Sequence, residues 1–326
     1  MRSRDLVLEA LEQHRGEYLS GEALAQKLFI SRNAVWKAIG QLQEQGHAIS
    51  AVPRRGYCLA FDSQPLSPPG IGKYLTTAGL SLEVRQSVTS TNTLLRQMAQ
   101  EGAPEGTVLL AEEQTAGRGR RNKSFSSPPG GGIYMSVLLR PRLLAQEALY
   151  ITTAAAVAVC QAVEDLCGVS TSIKWVNDVF CHGKKICGIS TEASLDLESG
   201  GLHYAVLGMG INVFPGTKPF SKEAEAVAAT IFSSSAATPP EIRARLAAGI
   251  LDRFFALYPH LSEKAYFEDY RRRCFLLGQP IHILQGDTKT PARALSLTED
   301  FGLVAEFPDG RQEILQSGEV SIRGSE

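Results

Sequence analysis

Apolar positions recur at helical spacing through the first sixty residues and then give way to short alternating runs. Val7, Leu8 and Leu11 share one helical face, and Leu24, Ala25 and Leu28 share a second. Ser20 stands where the second helix needs an N-cap. Ser31 stands where a third does, ahead of the apolar face Val35, Ile39 and Leu42. Gly46 ends that helix. His47 to Val52 and Gly56 to Ala60 read as two short strands around Pro53-Arg54-Arg55. Three helices followed by a hairpin is the order of a winged helix-turn-helix.

Asp62 to Gly70 is proline-rich and poor in apolar residues, which predicts a linker over 63–72. Beyond it the periods mix. Thr107–Glu113, Ile133–Leu139, Ser172–Trp175, Ile186–Glu192 and His203–Val213 are predicted strands. Thr93–Glu101, Ala148–Cys167 and Glu241–Leu257 are predicted helices, the second stopped by Gly168. Strands and helices do not alternate regularly, so a mixed sheet is expected over 73–275 rather than a doubly wound fold. Short strands punctuated by Gly286-Asp287, Gly302, Asp309-Gly310 and Gly318 predict a small SH3-like β-barrel over 276–326. The fold class is thus α+β: an N-terminal winged helix over 1–62, a central mixed-sheet α/β domain and a C-terminal barrel.

Composition narrows the reading. The 326 residues are 44% hydrophobic, and 33 Lys and Arg balance 34 Asp and Glu. A formal charge of −1 excludes chain-wide attraction to nucleic acid or anionic membrane, but not local basic surfaces. The most apolar run, Ile151 to Cys160, falls short of the roughly 20 residues that span a bilayer. No signal-peptide pattern is seen and no membrane partner is expected. The six cysteines form no CxxC pair, so no zinc framework is visible and a cytoplasmic location is expected.

The densest cationic stretch is Gly117-Arg118-Gly119-Arg120-Arg121-Asn122-Lys123. Glycine lets the backbone approach a ligand, and arginine offers a two-pronged donor to phosphate or carboxylate. The final Gly-Lys-Ser/Thr of a Walker A is missing, and Asn122 occupies the third glycine of a dinucleotide fingerprint. On its own the stretch reads equally as a solvated loop. Ser90-Thr91-Asn92 lies upstream, and taken alone it is an N-cap. Gln114 closes the strand that feeds the loop. Downstream come Lys174-Trp175-Val176-Asn177-Asp178, then Lys185-Ile186-Cys187-Gly188-Ile189, then Gly208-Met209-Gly210-Ile211-Asn212. Lys174 either snorkels to solvent or is partly enclosed. Glycines inside the last strand mark a close approach by a ligand or another backbone.

These five motifs, in this order, resemble those of biotin–protein ligases. The resemblance is greatest to the bacterial bifunctional form that is also the repressor of the biotin operon. The family pattern is Ser-Thr-Asn, Gly-Arg-Gly-Arg-x-Gly-Arg-x-Trp, Lys-Trp-Pro-Asn-Asp, Lys-Leu-x-Gly-Ile and Gly-x-Gly-x-Asn. This chain departs from it at Asn122 for glycine, Lys123 for arginine, Phe125 for tryptophan and Val176 for proline.

The resemblance implies that 73–275 is a catalytic domain joining biotin to ATP as biotinyl-5′-AMP, then to a lysine of a biotin carboxyl carrier protein. It implies that Ser90, Thr91, Asn92 and Gln114 line the biotin site. Gly117, Arg118, Gly119, Arg120, Lys185, Gly188, Gly208 and Gly210 are the further biotin-binding residues it implies, with Arg118, Gly119 and Arg120 closing over the acyl chain and carboxylate and Lys185 reaching the carboxylate or the α-phosphate. Arg120, Lys174, Asp178 and Lys185 are the expected catalytic groups, with Arg120 retaining the adenylate. Arg118, Arg120, Arg121, Lys123, Phe125, Lys174, Asn177 and Asn212 are expected to face ATP. Mg²⁺ is expected with the nucleotide, held by phosphate oxygens and water rather than by a protein cage. An octanoyl or lipoate ligase, and a ligand-sensing transcription factor without ligase activity, are the alternatives.

Residues 1–60 carry eight Lys and Arg against six Asp and Glu, a weak positive balance for a DNA-binding domain. Ser31, Arg32, Asn33, Trp36 and Lys37 start the third helix, the end that enters the major groove, and Arg54 and Arg55 tip the wing. Operator DNA is the expected partner. Two weak half-sites become useful when joined, so a homodimer is expected in the adenylate-bound form.

Overall fold

The structure, a computed structural model, describes residues 3–120, 123–196, 198, 200–217, 219–220, 227–285, 288–316 and 319–322. The N-terminal helices are α1 (Ser3–Gln13), α2 (Gly21–Lys27) and α3 (Arg32–Glu44). Ser20 Oγ accepts the Ala23 N–H and Ser31 Oγ accepts the Ala34 N–H, so both expected caps are made. Strands β1 (Ile49–Val52) and β2 (Gly56–Leu59) pair antiparallel as the wing. Val7, Leu11, Leu24, Val35, Ile39, Leu42 and Leu59 close a core of their own.

The central sheet has seven strands in the order β3-β4-β5-β9-β8-β7-β6. They are β3 (Ser81–Val88), β4 (Thr107–Gln114), β5 (Gly132–Leu139), β6 (Ser172–Lys174), β7 (Asp178–Cys181), β8 (Lys184–Leu195) and β9 (Leu202–Asn212). Only the β3–β4 pair is parallel, the crossover being α5 (Thr91–Gln100). Strand alternation sorts the side chains. Leu109, Leu138 and Val206 meet α5 on one face. Val108, Leu110, Val137, Leu139 and Leu207 face the main core with α6 (Leu149–Cys167) and α7 (Ile242–Leu257). The span Ala145–Cys167 is long and apolar enough to cross a membrane, but most of it is buried against the sheet and α7 as a core helix.

The segment predicted as a linker is not one. Ser67 caps a short helix, α4 (Pro68–Gly72), by accepting the Gly70 N–H at 3.0 Å. The prolines sit in the first turn, where their missing N–H costs nothing. Leu66 and Ile71 belong to the main core. Proline thus starts a helix here and does not mark a flexible spacer.

After α8 (Phe267–Arg273) come β10 (Pro280–Gln285), β11 (Thr288–Leu297), β12 (Leu303–Glu306), β13 (Gln312–Leu315) and β14 (Glu319–Ile322). They form an antiparallel sheet in the order β13-β12-β11-β10-β14. Its core residues Ile281, Ala294, Phe301, Leu303 and Val320 are continuous with the central core. Central and C-terminal segments therefore share one interior, while the winged helix keeps its own.

Candidate active site

Ser90 ends the turn after β3 and caps α5, accepting the Thr93 N–H at 3.5 Å. Capping fixes Thr91 and Asn92 in the first helical turn, where both are buried. The Gln114 Oε1 accepts the Thr91 backbone N–H at 2.9 Å, and its Nε2 donates to Ser127 Oγ at 2.8 Å. The Asn92 amide donates to Glu192 Oε1 and Ser190 Oγ, while its oxygen meets Ser136 Oγ at 2.6 Å. Ser136, Ser190 and Glu192 were not anticipated. Ser136 is a lone polar residue in an apolar strand, and Ser190 and Glu192 belong to a polar run in β8 that no motif marks.

Of these groups, Ser90, Thr91, Asn92, Gln114 and Ser190 line a small cavity. Ser90, Thr91, Asn92, Gln114, Arg118, Gly119, Arg120, Asn177, Lys185, Gly188, Gly208 and Gly210 all line it, with Met135, Ile189 and Met209 as apolar wall. Cations, hydroxyls and amides thus share one space. A wider, more open hollow adjoins it, sharing Gln114, Phe125 and Lys185. Gly117, Lys123 and Asn212 line this second space. Asn212 is buried and its Oδ1 has no partner among the described residues, a feature that fits a ligand carrying an N–H or O–H donor.

The arginine loop folds back on itself: Arg118 bridges Ser124, the Gly119 N–H reaches the Lys123 carbonyl at 2.7 Å, and the Phe125 N–H reaches that of Gly117 at 2.9 Å. Arg118 is exposed and Arg120 half-buried, its guanidinium donating to Asn177 Oδ1 at 2.9 Å. Asn177 in turn donates to Asp178 Oδ1 and the Ile189 carbonyl. Asp178 Oδ1 lies 2.7 Å from Lys185 Nζ. Asp178 therefore orients a lysine of the site. Lys174 lies opposite it in the β6–β7 register and is not among the residues lining either space. Arg121 lies outside the described residues, as does Asn122.

The strand glycines make room for side chains more than for a ligand. A Cβ at Gly208 would lie 2.2 Å from Asn92 Oδ1, and one at Gly210 would lie 2.4 Å from Phe125 Cε1. Gly188 pairs with Gly210 across β8 and β9. Phe125 sits over this window, edge-on to Tyr134 with 6.5 Å between ring centroids.

Arg32, Asn33, Trp36 and Lys37 are exposed on one end of α3, and Arg54 and Arg55 are exposed at the wing. Arg55 stacks over the Tyr18 ring at 4.0 Å. Ser31 is spent on the cap. Phe29, in the turn between α2 and α3, is 96% exposed and was not anticipated. Among the described residues no group of three His, Cys, Asp or Glu converges to hold a metal. All six cysteines are free thiols.

A helix-turn-helix joined to a mixed sheet whose cavity gathers cations with hydroxyls and amides defines a class: a protein ligase that activates a small acid, carrying a DNA-binding module. The biotin/lipoate A/B protein ligase family matches residues 84–212, and a helix-turn-helix domain matches 3–58. A bifunctional ligase/repressor BirA of Bacillus subtilis strain 168 is 37% identical over 230 residues, 70% of each chain. The protein of that name from Escherichia coli K12 is 27% identical over 319 residues, 95% of each. The biotin protein ligase of Aquifex aeolicus, solved with biotin and ATP, superposes with a TM-score of 0.59 at 26% identity, covering 74% of this chain and 98% of that one. The chain belongs to the family of bifunctional biotin ligase/repressors.

Proposed function

We propose that the protein is an ATP-dependent biotin–protein ligase and a repressor of biotin genes with biotinyl-5′-AMP as corepressor. The observation that carries the ligase reading is that Arg118, Arg120 and Lys185 share one cavity with Ser90, Thr91 and Gln114. The biotin carboxylate attacks the α-phosphorus of ATP, the bond to the β-phosphate bridge breaks, and pyrophosphate leaves. Two unit negative charges about 4 Å apart repel by roughly 4 kcal/mol at an effective dielectric near 20. Arg118, Arg120 and Lys185 offset that repulsion, Lys185 held in place by Asp178. An acceptor lysine of the biotin carboxyl carrier protein of acetyl-CoA carboxylase then attacks the acyl carbon. AMP leaves and the amine loses a proton.

The second hollow suits the nucleotide, with Lys123 and Asn212 beside Phe125. With no acidic cluster among the described residues, Mg²⁺ arrives as part of the ATP substrate. Hydroxyls and amides of the cavity suit the ureido group of biotin better than the apolar head of lipoate or octanoate. The C-terminal sheet is read as an SH3-like barrel and the location as cytoplasmic, in keeping with the free thiols.

Biotin-dependent exchange of labelled pyrophosphate into ATP tests the ligase reading. Exchange with biotin, and none with lipoate or octanoate, is expected; binding of biotin without exchange overturns it. For the repressor reading, the exposed cations of α3 and the wing bind DNA, and the adenylate-loaded form pairs on a palindromic operator. Sedimentation should give a dimer with biotinyl-AMP and a monomer without it, and an operator affinity indifferent to ligand overturns the coupling.

A further inference from the structure

Two aromatic rings stand in solvent at the DNA-facing end of the winged helix. Leu28 and Ile30 pack against the core of that domain, and Phe29 between them is turned outward, 96% exposed. Its φ is +53°, a left-handed conformation that costs a bulky side chain and that glycine takes freely. Trp36 on α3 is 65% exposed and takes no part in the core. Folding of the domain accounts for neither ring.

Helical spacing puts Asn33, Trp36 and Gly40 on one stripe of α3, with Arg32 and Lys37 beside it. A Cβ at Gly40 would meet nothing within 4 Å, so the fold itself does not require a bare surface there, and a partner can come close. The side chains of Arg32, Asn33, Trp36 and Lys37 make no hydrogen bond or ion pair with another described residue. The charge around the rings fits a polyanion. Arg32 and Arg54 line one hollow between α3 and the wing, where Glu22 is the one carboxylate among the described residues.

We propose that Trp36 and Phe29 read thymine through its C5-methyl group, so that apolar contact specifies part of each operator half-site. The proposal rests on the repressor reading. The thymine methyl is the apolar group that the major groove displays, and an aromatic face buries it without a hydrogen bond. Asn33, one turn before Trp36, carries the amide that matches the edge of adenine, so the stripe suits A·T pairs on both strands. Arg32 matches guanine, and Arg54 and Arg55 at the wing are left to the phosphates.

The test uses the full-length protein with biotinyl-5′-AMP and the duplexes it enriches from a random-sequence library. Each thymine of the enriched half-site is replaced in turn by deoxyuridine, which removes the methyl group and nothing else. Wild type should bind about fourfold more weakly when the replaced thymine is one that a ring covers, the worth of one methyl taken out of water. Trp36→Ala should lose this penalty at one position, binding the thymine and uracil duplexes alike, and should melt as wild type does. Phe29→Gly should lose it at another position and melt at the same temperature or higher, because glycine relieves the left-handed backbone. Arg55→Ala should keep both penalties and lower the salt dependence of binding by about one ion, the signature of a phosphate contact.

A wild type indifferent to uracil at every position overturns the proposal, as does a full set of penalties surviving in either ring variant. Self-association of the free protein that either variant abolishes would show that the rings face a second copy, and overturns it too. A library from which no sequence is enriched overturns the repressor reading itself.

Discussion

Gly210 carries no side chain because Phe125 occupies the space a side chain would need. Glycine within a strand was legible as a sign of close approach, but sequence could not say that the approaching groups are Asn92 and an aromatic ring from the arginine loop. The cations and glycines of the site were legible because they cluster within short motifs. Glu192 and Ser136 were not, since their partner Asn92 lies 100 and 44 positions away in sequence. Gly210→Ala should push the Phe125 ring off its window and lower kcat/KM about tenfold, the equivalent of about 1.4 kcal/mol. Adding Phe125→Leu should restore part of that loss by relieving the overlap. Steady-state kinetics on the single and double variants measures the coupling, and a double variant no better than Gly210→Ala alone refutes this cause.

At the scale of elements, the turn between β6 and β7 sets the partners of two cations, because Asn177 holds Arg120 and Asp178 holds Lys185. The turn is itself held by the C-terminal segments. Trp175 is buried and its Nε1–H donates to the Phe301 carbonyl at 2.8 Å, while the Tyr270 hydroxyl donates to the Val176 carbonyl at 3.1 Å. Trp175 therefore acts as a strut under Asn177 and Asp178, which hold two cations of the cavity. Long periodic elements such as α6 and α7 were legible to within a residue or two. The edge strand β3, with an exposed polar face, and the short β7 and α8 carried too little apolar pattern to be seen. Trp175→Phe leaves a buried carbonyl unpaired, which costs about 1–3 kcal/mol. Thermal unfolding should fall accordingly, and pyrophosphate exchange should fall with it as Asn177 and Asp178 lose their setting. Exchange at the wild-type rate in a destabilised variant would show that the turn does not depend on this strut.

Across the whole molecule, the winged helix is joined to the ligase by charge. Glu12 and Arg15 on and just after α1 pair at 2.7 Å, both nearly inaccessible to solvent. Lys73 reaches Glu12 at 2.9 Å and also pairs with Glu241, which stands at the start of α7 and lies 3.1 Å from Arg15. Two residues on, the buried Arg243 pairs with Glu112 and donates to the Gln64 carbonyl. Glu112 also accepts the Leu66 N–H, and two positions further along β4 lies Gln114 of the cavity. Sequence gave no hint of this junction, because each carboxylate finds its partner across an interface that no local pattern describes.

Burial pushes the Glu12 carboxyl up, but hydrogen bonding and attraction from Arg15, and then from Lys73, outweigh it and hold the group below its ordinary value of 4.5. A carboxyl with a lowered folded pKa contributes stability that is full above about 4.5 and is lost as pH falls through the lowered value. Glu12→Gln leaves Arg15 and Lys73 without that charge, a change that costs about 3–5 kcal/mol where a buried pair is broken. The variant should therefore melt well below wild type at pH 7 and be cut more readily by protease in the segment 60–67, which Arg15 clamps through the carbonyls of Ala60 and Ser63. As pH falls below about 4.5 the gap between the two melting curves should narrow, because protonating Glu12 removes the same charge from the wild type. A gap that does not narrow would mean that packing, rather than this carboxylate, joins the DNA-facing domain to the ligase.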